Sequence, residues 1–386
     1  MQNIEKILVP HFSIDEIDQI KKIFSETDER QLVSRAQIDL LITYAENKLS
    51  QNKLIQFLIT LGEAVKSNGE YDIAISIFDS LLKTTGNDRN LSNIKINCYL
   101  ALADIYEKQA YWKESLALVK KARNAFSLKK DDRGLAVCEN FMGTIYGERG
   151  DIKKAKDHFE MSLSLLNPAK DKSLFGMLEI NLGIINNIQG NYDEAFTCFR
   201  RALVIFEQTH DLNRIAELRQ NIGMLFTQKG DYNSALYEFD KGIVLSNEQG
   251  FLSKLGIAYL SKAFILTQLK DYPLASVFAN RALEICSKLN DRLSMADIYK
   301  IQGIIERNQS NYKLSENYFL TSLRINEELS NGLNRAETLF ELGKLYVAMN
   351  QKNMGLEVLK SSLEYFRNIN SSGMVRKLKE EIFQLT

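Results

Sequence analysis

The chain has 386 residues, of which 49 are basic, 49 are acidic and 45% are apolar. The zero formal charge argues against nucleic-acid binding through a diffuse basic surface, because such binding needs clustered Lys and Arg. No apolar stretch approaches the ~18 residues needed to cross a bilayer, and the first twelve residues lack the apolar run of a signal peptide. We therefore expect a cytoplasmic protein without membrane insertion and without a nucleic-acid partner.

Residues 1–53 differ in pattern from the rest of the chain. Apolar residues recur at helical spacing from Ile14 to Phe24 and from Leu32 to Leu49. We predict that residues 1–53 form an N-terminal helical cap.

Residues 54–370 carry a short phrase eight times at a spacing of 40 residues, most clearly as Gly150–Ala155, Gly190–Ala195 and Gly230–Ala235. A fixed period of 20–50 residues is typical of solenoids, in which each unit buries its apolar face by stacking on its neighbours. We predict eight helix-turn-helix repeats with their internal turns near residues 69, 110, 150, 190, 230, 270, 310 and 350.

Each repeat pairs small residues with one large residue. A small residue such as Gly143 or Gly183 stands in the first helix, and an aromatic such as Phe159 or Phe199 follows sixteen positions later in the second. A missing side chain lets two helices approach closely. Asp or Asn stands at the cap of the second helix in five of the eight copies, namely Asp151, Asn191, Asp231, Asp271 and Asn311.

The chain resembles the tetratricopeptide repeat in its Leu182-Gly183 pair, in Tyr106, Tyr146 and Tyr346, and in its Gly-x-Tyr-x-x-Ala turn followed by Phe. This resemblance implies an all-α fold, a right-handed tetratricopeptide-repeat superhelix (α-solenoid). The usual repeat has 34 residues and often ends its second helix with Pro, whereas this chain has Glu207, Asn247, Ser287 and Glu327 at that place. The lengthened form is similar to LGN/Pins scaffolds, kinesin light chain and bacterial Rap-type regulators.

The chain ends in a predicted polar closing helix. Ser371-Ser372-Gly373 interrupts the last repeat, and an amphipathic segment runs from Met374 to Phe383. We predict that residues 371–386 cap the array, as a solenoid requires for solubility. Caps at both ends predict an array without an attached catalytic domain.

The candidate binding residues are those that the first helices of the central repeats direct inward in such arrays. They combine an apolar floor with amide edges, which suits a protein segment or peptide held in a concave groove. The predicted groove residues are Ile180, Ile184, Asn187, Ile188, Gln220, Met224, Gln228, Leu260, Phe264, Thr267, Gln268, Lys300, Ile304 and Arg307. The competing interpretation is that the apolar members are buried by neighbouring repeats.

Residues with catalytic or metal-binding chemistry do not form a recognisable pattern. The three histidines, His11, His158 and His210, lack ligand spacing, and the four cysteines lack Cys-x-x-Cys spacing. We predict a non-enzymatic protein without catalytic residues, metal or cofactor.

Three functional hypotheses remain open. The first is an interaction scaffold, monomer or homodimer, that binds a protein or peptide in the groove. The second, implied by the Rap resemblance, is a peptide-regulated modulator of a response regulator, for which Gln31 or Gln37 is the candidate that directs water at an aspartyl phosphate. The third is self-assembly through the exposed aromatic turns or an uncapped end.

Overall fold

The computed structural model describes residues 8–25, 35–67, 69–85, 91–168 and 170–385, and they contain helices and no strand. The prediction of an all-α solenoid is confirmed. In chain order the helices are α1 (Ile14–Ser25), α2 (Arg35–Lys48), α3 (Gln51–Ser67), α4 (Tyr71–Thr85), α5 (Ser92–Lys108), α6 (Trp112–Lys129), α7 (Asp132–Glu148), α8 (Ile152–Ser164), α9 (Lys172–Gln189), α10 (Tyr192–Gln208), α11 (Leu212–Lys229), α12 (Tyr232–Gln249), α13 (Leu252–Gln268), α14 (Tyr272–Lys288), α15 (Arg292–Asn308), α16 (Tyr312–Glu328), α17 (Gly332–Ala348), α18 (Lys352–Asn368) and α19 (Ser372–Phe383).

Packing divides the chain into two compact units. The first comprises Met1–Lys108 with Lys113–Ala122, and the second comprises Gln109–Trp112 with Arg123–Thr386. Apolar side chains of α1 to α5 share one core in the first unit, with Phe57 among its fully buried members. The sequence-based boundaries at residues 53 and 370 describe a different division and stay a prediction.

The second unit is built of helix hairpins. The pairs α7–α8, α9–α10, α11–α12, α13–α14, α15–α16 and α17–α18 each pack face to face. The first helices of neighbouring pairs, α7, α9, α11, α13, α15 and α17, also contact one another in turn. We call the side of these first helices that is turned away from their own second helices the inner face.

Close approach of the two helices in a hairpin depends on the small residue of the first. A Cβ added at Gly183 would lie 2.5 Å from the ring of Phe199, and one added at Gly223 would lie 2.4 Å from Phe239. Both rings are fully buried. The sixteen-residue spacing seen in the sequence is therefore a packing contact within each hairpin, as the repeat pattern predicts.

A residue in the left-handed conformation ends most helices of the second unit. Glycine takes this place at residues 150, 190, 230 and 250, while His210, Lys270, Asn290 and Ser310 take it with φ of 50–65°. Left-handed residues at helix C-termini satisfy orphan carbonyls, because the amides beyond them turn back onto the last turn. From residue 190 onward these positions recur every 20 residues, which accounts for the similar lengths of the helices from α10 to α18.

The caps of the second helices differ in part from expectation. Asp151, Asp231 and Asp271 accept a hydrogen bond from the amide three residues on, but Asn191 and Asn311 make no such bond. Their amide nitrogens instead donate backward, Asn191 to Asn186 Oδ1 at 3.5 Å and Asn311 to Glu306 Oε2 at 2.8 Å. Caps of the first helices, which the repeat phrase does not include, are made by Asp131, Asp211, Asp291 and Asn331.

The last helices of the second unit bind the C-terminal ends of earlier ones. Tyr365 Oη donates to the carbonyl of Gly150 at 2.6 Å, and Ser371 Oγ donates to the carbonyl of Ile188 at 2.8 Å. The amide of Gly332 donates to the carbonyl of Arg149 at 3.0 Å. We call these three hydrogen bonds the closing contacts. These hydrogen bonds satisfy carbonyl groups at or just beyond the C-terminal ends of α7 and α9. Such carbonyls accept no hydrogen bond within their own helix.

Apolar packing reinforces the closing contacts. Phe366 of α18 and Leu378 of α19 are fully buried in a core that also contains Ile152, Phe159 and Ile185. Trp112 Nε1 adds a hydrogen bond to the carbonyl of Leu329, at the end of α16. Within the second unit, the C-terminal helices therefore pack directly against α7 to α9.

Candidate functional site

Several predicted groove residues are buried rather than presented to a ligand. Ile180 and Leu260 belong to hairpin cores, and Ile304 packs with Phe319 and Leu342. For these three the competing interpretation applies, because the neighbouring helices enclose their side chains. They take no further part in the candidate site.

Lys300 is also buried, but it is fully paired. Its Nζ lies 2.8 Å from Asp297 Oδ1 and 2.5 Å from Glu337 Oε2 on the next first helix. Burial opposes its charge, yet the two carboxylates prevail and raise its pKa above the usual range. Lys300 therefore joins α15 to α17 and is not free to meet a ligand.

Five predicted residues come together in one pocket of about 210 Å³. They come from α9 and α11 and supply three apolar side chains and two amides. These residues are Ile184, Asn187, Ile188, Met224 and Gln228. Asn221, on the same face of α11, adds a further amide.

The opposite wall of the pocket comes from the C-terminal helices. Leu333 and Glu337 of α17, Phe366 of α18, and Met374 and Lys377 of α19 line it. The closing contact between Ser371 and Ile188 lies at this junction. The pocket is therefore a cleft between the inner face and the C-terminal helices, whereas the sequence predicts a concave groove lined by the first helices.

The remaining predicted residues lie outside this pocket. Gln268 is exposed and donates to Thr267 Oγ1 at 3.1 Å, while Gln220 is half-buried on α11. Phe264 is half-buried against the core around Ile304. Arg307 binds the Glu341 carboxylate at 2.7 Å and the Glu341 carbonyl at 2.8 Å. The pocket residues of α17 to α19 were missed, since no local pattern indicates which earlier helix they contact.

A charged network occupies the inner face of the later repeats. Glu217 Oε2 lies 2.7 Å from Arg214 Nη1 and 2.9 Å from Lys254 Nζ on the next first helix. Burial alone raises the pKa of Glu217, but the two cations outweigh it and hold the pKa at about 2. Glu217 therefore remains ionised and joins α11 to α13.

Glu217→Gln is expected to lower stability in a pH-dependent way. Because the folded pKa of about 2 lies below the ordinary value of 4.5, the ion pairs stabilise the fold above pH 4.5, and this stability is lost as pH falls toward 2. We expect a loss of roughly 1 kcal/mol at pH 7 that shrinks at pH 3. Urea denaturation at both pH values measures it. Glu284→Gln, which breaks an exposed pair with Lys288, is the control and should have little effect.

Glu148 differs from Glu217 because its pKa is raised and not lowered. The residue as a whole is exposed, but the surrounding chain crowds its carboxyl group enough for burial to oppose the charge. Glu148 forms no ion pair with a described residue. Burial, followed by the charges of Asp291 and Asp297, raises its pKa to about 7, against the opposing effect of Lys254. Glu217 also faces it. Glu148 is thus the unpaired member of the inner-face network.

Glu148→Gln is expected to stabilise the protein at pH 8 and to leave it unchanged at pH 4. A carboxyl whose folded pKa is raised above 4.5 costs stability as pH rises from 4.5 through 7, because the unfolded chain ionises more readily. Urea denaturation across this range is the measurement. A difference between variant and wild type that does not vary with pH would contradict the assignment.

The repeats match the model of a known family. A family model described as the tetratricopeptide repeat matches residues 95–167 and 174–243, and the hairpins on either side of this range continue the same pattern. These residues form tetratricopeptide repeats, and the fold is an all-α solenoid of that type. No curated protein matches it. Proteins with these repeats generally serve as interaction scaffolds rather than as catalysts.

Three solved structures share the fold of this chain. A Rap protein complexed with competence and sporulation factor is 12% identical, with a TM-score of 0.58 over 86% of this chain and 99% of that one. The apo form of RapI is 15% identical, with a TM-score of 0.53 over 71% and 98%. Aspartyl phosphate phosphatase F from Bacillus subtilis is 19% identical, with a TM-score of 0.55 over 82% of each chain. At these identities the likeness is one of fold.

Within the described residues, no helix is both long and apolar enough to span a membrane. All four cysteines are buried and unpaired. Burial raises the pKa of the thiols of Cys98, Cys138 and Cys286 to about 12 and that of Cys198 to about 11. These thiols are accordingly protonated at neutral pH.

Proposed function

We propose that this protein is a non-enzymatic scaffold that binds a peptide or protein segment in the pocket between α9, α11 and the C-terminal helices. The observation that carries the proposal is the pocket itself. It combines apolar side chains of Ile184, Ile188 and Met224 with the amides of Asn187 and Gln228. Such a combination holds an apolar anchor while the amides meet the ligand backbone.

The size of the pocket limits what it accepts. A volume of about 210 Å³ is below the roughly 300–1,000 Å³ typical of pockets for whole small-molecule ligands. It suits one anchoring side chain of a longer ligand. The rest of the ligand then follows the inner face, where half-buried groups such as Gln220 lie.

Met224→Glu tests the proposal more directly than a change at Phe264, which is half-buried against the core and risks misfolding. The probe is a library of N-acetylated random hexapeptides, half with free carboxyl ends and half with carboxamide ends. The library is passed over immobilised protein, and the retained peptides are counted by mass spectrometry. We expect retention by wild type and loss with Met224→Glu, because a charge in the apolar pocket opposes the anchor.

Met354→Glu is the matched control, since Met354 is an exposed methionine of α18 that lies outside the pocket. This variant should retain the same peptides as wild type. Equal retention by Met224→Glu, or no retention by any of the proteins, would refute the proposal. Circular dichroism of both variants checks that the helices are intact.

A second candidate function is favoured by the fold it shares with Rap proteins and with an aspartyl phosphate phosphatase. In this alternative the chain modulates a response regulator under peptide control. Of the two glutamines proposed for such a role, Gln37 lies on α2, while Gln31 lies outside the described residues. Faster dephosphorylation of a response regulator from the same genome, lost with Gln37→Ala, would support it. No acceleration of any such regulator would exclude it.

A further inference from the structure

A buried polar layer lies between α16 and α17. Ser322 and Asn326 of α16 and Thr338 of α17 are each 1% exposed or less. Thr338 Oγ1 donates to the carbonyl of Asn334 at 2.8 Å, so it accepts from Ser322 Oγ at 3.1 Å. Asn326 Nδ2 in turn donates to Ser322 Oγ at 3.4 Å. Hydroxyl and amide groups therefore occupy part of the core between these two helices, and we call Ser322, Asn326 and Thr338 the polar layer.

The polar layer is incompletely satisfied. Asn326 Oδ1 is buried and accepts no hydrogen bond from a described residue. The bond from Asn326 Nδ2, at 3.4 Å, exceeds the roughly 2.7–3.2 Å that is usual for N–H···O bonds. When α16 and α17 separate, water bonds to both atoms of the amide, so the burial of Asn326 opposes the contact between the helices.

The corresponding positions elsewhere in the array are more apolar. We use joint for the packing of the second helix of one hairpin against the next helix of the chain. At five other joints of the second unit, the three equivalent residues, related by multiples of 40 positions, include at most one hydroxyl and no amide. These sets are Ser162, Leu166 and Leu178; Ala202, Phe206 and Leu218; Gly242, Ser246 and Ala258; Ala282, Cys286 and Ile298; and Ser362, Phe366 and Leu378. Because the stability of a repeat array is approximately a sum of hairpin and interface terms, the polar layer weakens the α16–α17 joint relative to the others.

The helices beyond this joint pack together. Ala336, Phe366 and Leu378, one from each of α17, α18 and α19, belong to one core. We call α17 to α19 the closing segment. The end of α16 is held independently of this segment, since Trp112 Nε1 donates to the carbonyl of Leu329. The boundary between the two parts therefore falls just after Leu329.

Ion pairs across the joint offset its weakness only in part. Lys300 Nζ is shared by Glu337 of α17 and by Asp297 of its own helix, so it keeps a carboxylate partner when α17 leaves. The Glu337 side chain is 39% exposed, and water replaces Lys300 around it. Arg307 and Glu341 form a more buried pair, but the desolvation of two charges opposes much of their attraction.

We propose that the closing segment undocks as one cooperative unit from α16 and from α7 to α9, with the α16–α17 joint as its boundary and residues 330–331 as its tether. Undocking breaks the three closing contacts together. It also removes the pocket wall formed by Leu333, Glu337, Phe366 and Met374, so the pocket opens to solvent on that side. The motion is a property of the protein without a ligand and does not depend on the proposed function.

Hydrogen–deuterium exchange with mass spectrometry, at urea concentrations below the unfolding transition, tests the proposal. The slowest amides of α17 and α18 should share one urea dependence and exchange about tenfold or more faster than the slowest amides of α15 and α16. The comparison omits α19, because a terminal helix also opens on its own. A common rate for α15 to α18 would mean that no boundary lies at the joint and would overturn the proposal.

Asn326→Leu should slow exchange in α17 and α18 by about tenfold or more. Leucine has the same branched shape as asparagine without its polar atoms, and Ser322 keeps its bond to Thr338. Asn326→Cys, which copies Cys286 of the α14–α15 joint, removes the amide without adding volume and should slow exchange in the same direction. Circular dichroism checks that both variants are folded. Unchanged exchange in the two folded variants would overturn the proposal.

Gly147→Ala separates undocking of the closing segment from unfolding of the whole second unit. A Cβ at this position of α7 would meet only the Ala155 Cβ at 3.8 Å, so alanine stabilises a helix that stays folded when the segment undocks. The substitution should slow the slowest amides of α7 to α12 and leave exchange in α17 and α18 at the wild-type rate. Equal slowing in α17 and α18 would show that they exchange only when the whole unit unfolds, which contradicts a separate closing segment.

Discussion

Replacing Gly143 with alanine is expected to lower the free energy of unfolding by about 2–3 kcal/mol. Helix propensity alone predicts the opposite sign, because alanine is favoured over glycine in a helix interior by roughly 1 kcal/mol. The tertiary contact decides the outcome. A Cβ at position 143 would lie 2.5 Å from Cε1 and 2.6 Å from Cδ1 of Phe159, whose ring is almost fully buried. Either the ring or α8 must move.

Gly147→Ala, one turn further along α7, is the matched control for this prediction. A Cβ at that position would meet only the Ala155 Cβ at 3.8 Å, which is an ordinary contact. Helix propensity then acts unopposed, and the variant should be more stable than wild type by about 0.5–1 kcal/mol. Urea denaturation followed by circular dichroism compares the two. Stabilisation by both substitutions would show that the contact with Phe159 does not limit the distance between α7 and α8.

The fold was predictable from sequence because its determinants are local. Gly183 and Phe199 stand sixteen residues apart, and their contact recurs in hairpin after hairpin, so one pattern in the chain reports one contact in space. Capping was less predictable for the same reason. Asn191 and Asn311 have the residue type of a cap, yet their side chains bond to the preceding helix, a choice between two nearby partners that composition does not decide.

The candidate site was predictable only on one wall. Ile184, Asn187 and Met224 follow from the register of the first helices and do line the pocket. The facing wall depends on Ser371 reaching Ile188, a residue 183 positions earlier. Such a contact is set by the summed geometry of all the hairpins between them. No residue pattern near Ser371 identifies its partner. For Leu378 the sequence predicts only a place on the apolar side of an amphipathic helix, and it does not predict which helices that side contacts.

Ser371→Ala is expected to release α19 while leaving the hairpins intact. The substitution removes the hydroxyl that donates to the carbonyl of Ile188 near the end of α9. It does not remove an N-cap hydrogen bond, because the Ser371 side chain makes none. An unsatisfied carbonyl in this buried place costs about 1–3 kcal/mol. Amide exchange in α19 should therefore accelerate by about tenfold or more, as measured by hydrogen–deuterium exchange with mass spectrometry.

Ser362→Ala makes the comparison specific to the closing contacts. Ser362 is also a fully buried serine, and its hydroxyl donates to the carbonyl of Ala336 at 2.7 Å, within the α17–α18 hairpin. Its loss should weaken that hairpin without a selective effect on α19. Equal acceleration of α19 in both variants would mean that the last helix is held by the stability of its neighbours and not by its bond to α9.

Selective release of α19 has a consequence for the pocket. Ser371, Gly373 and Met374 form part of its wall, so a ligand that fills the pocket and contacts α19 binds the closed arrangement more tightly than the open one. Binding and closure are then linked, and each must stabilise the other by the same free energy. A bound peptide should slow exchange in α19 of the wild type, and Ser371→Ala should weaken peptide binding in proportion to the fraction of molecules in which it releases α19. Unchanged exchange in α19 of the wild type on peptide binding would contradict this linkage and place the ligand away from α19.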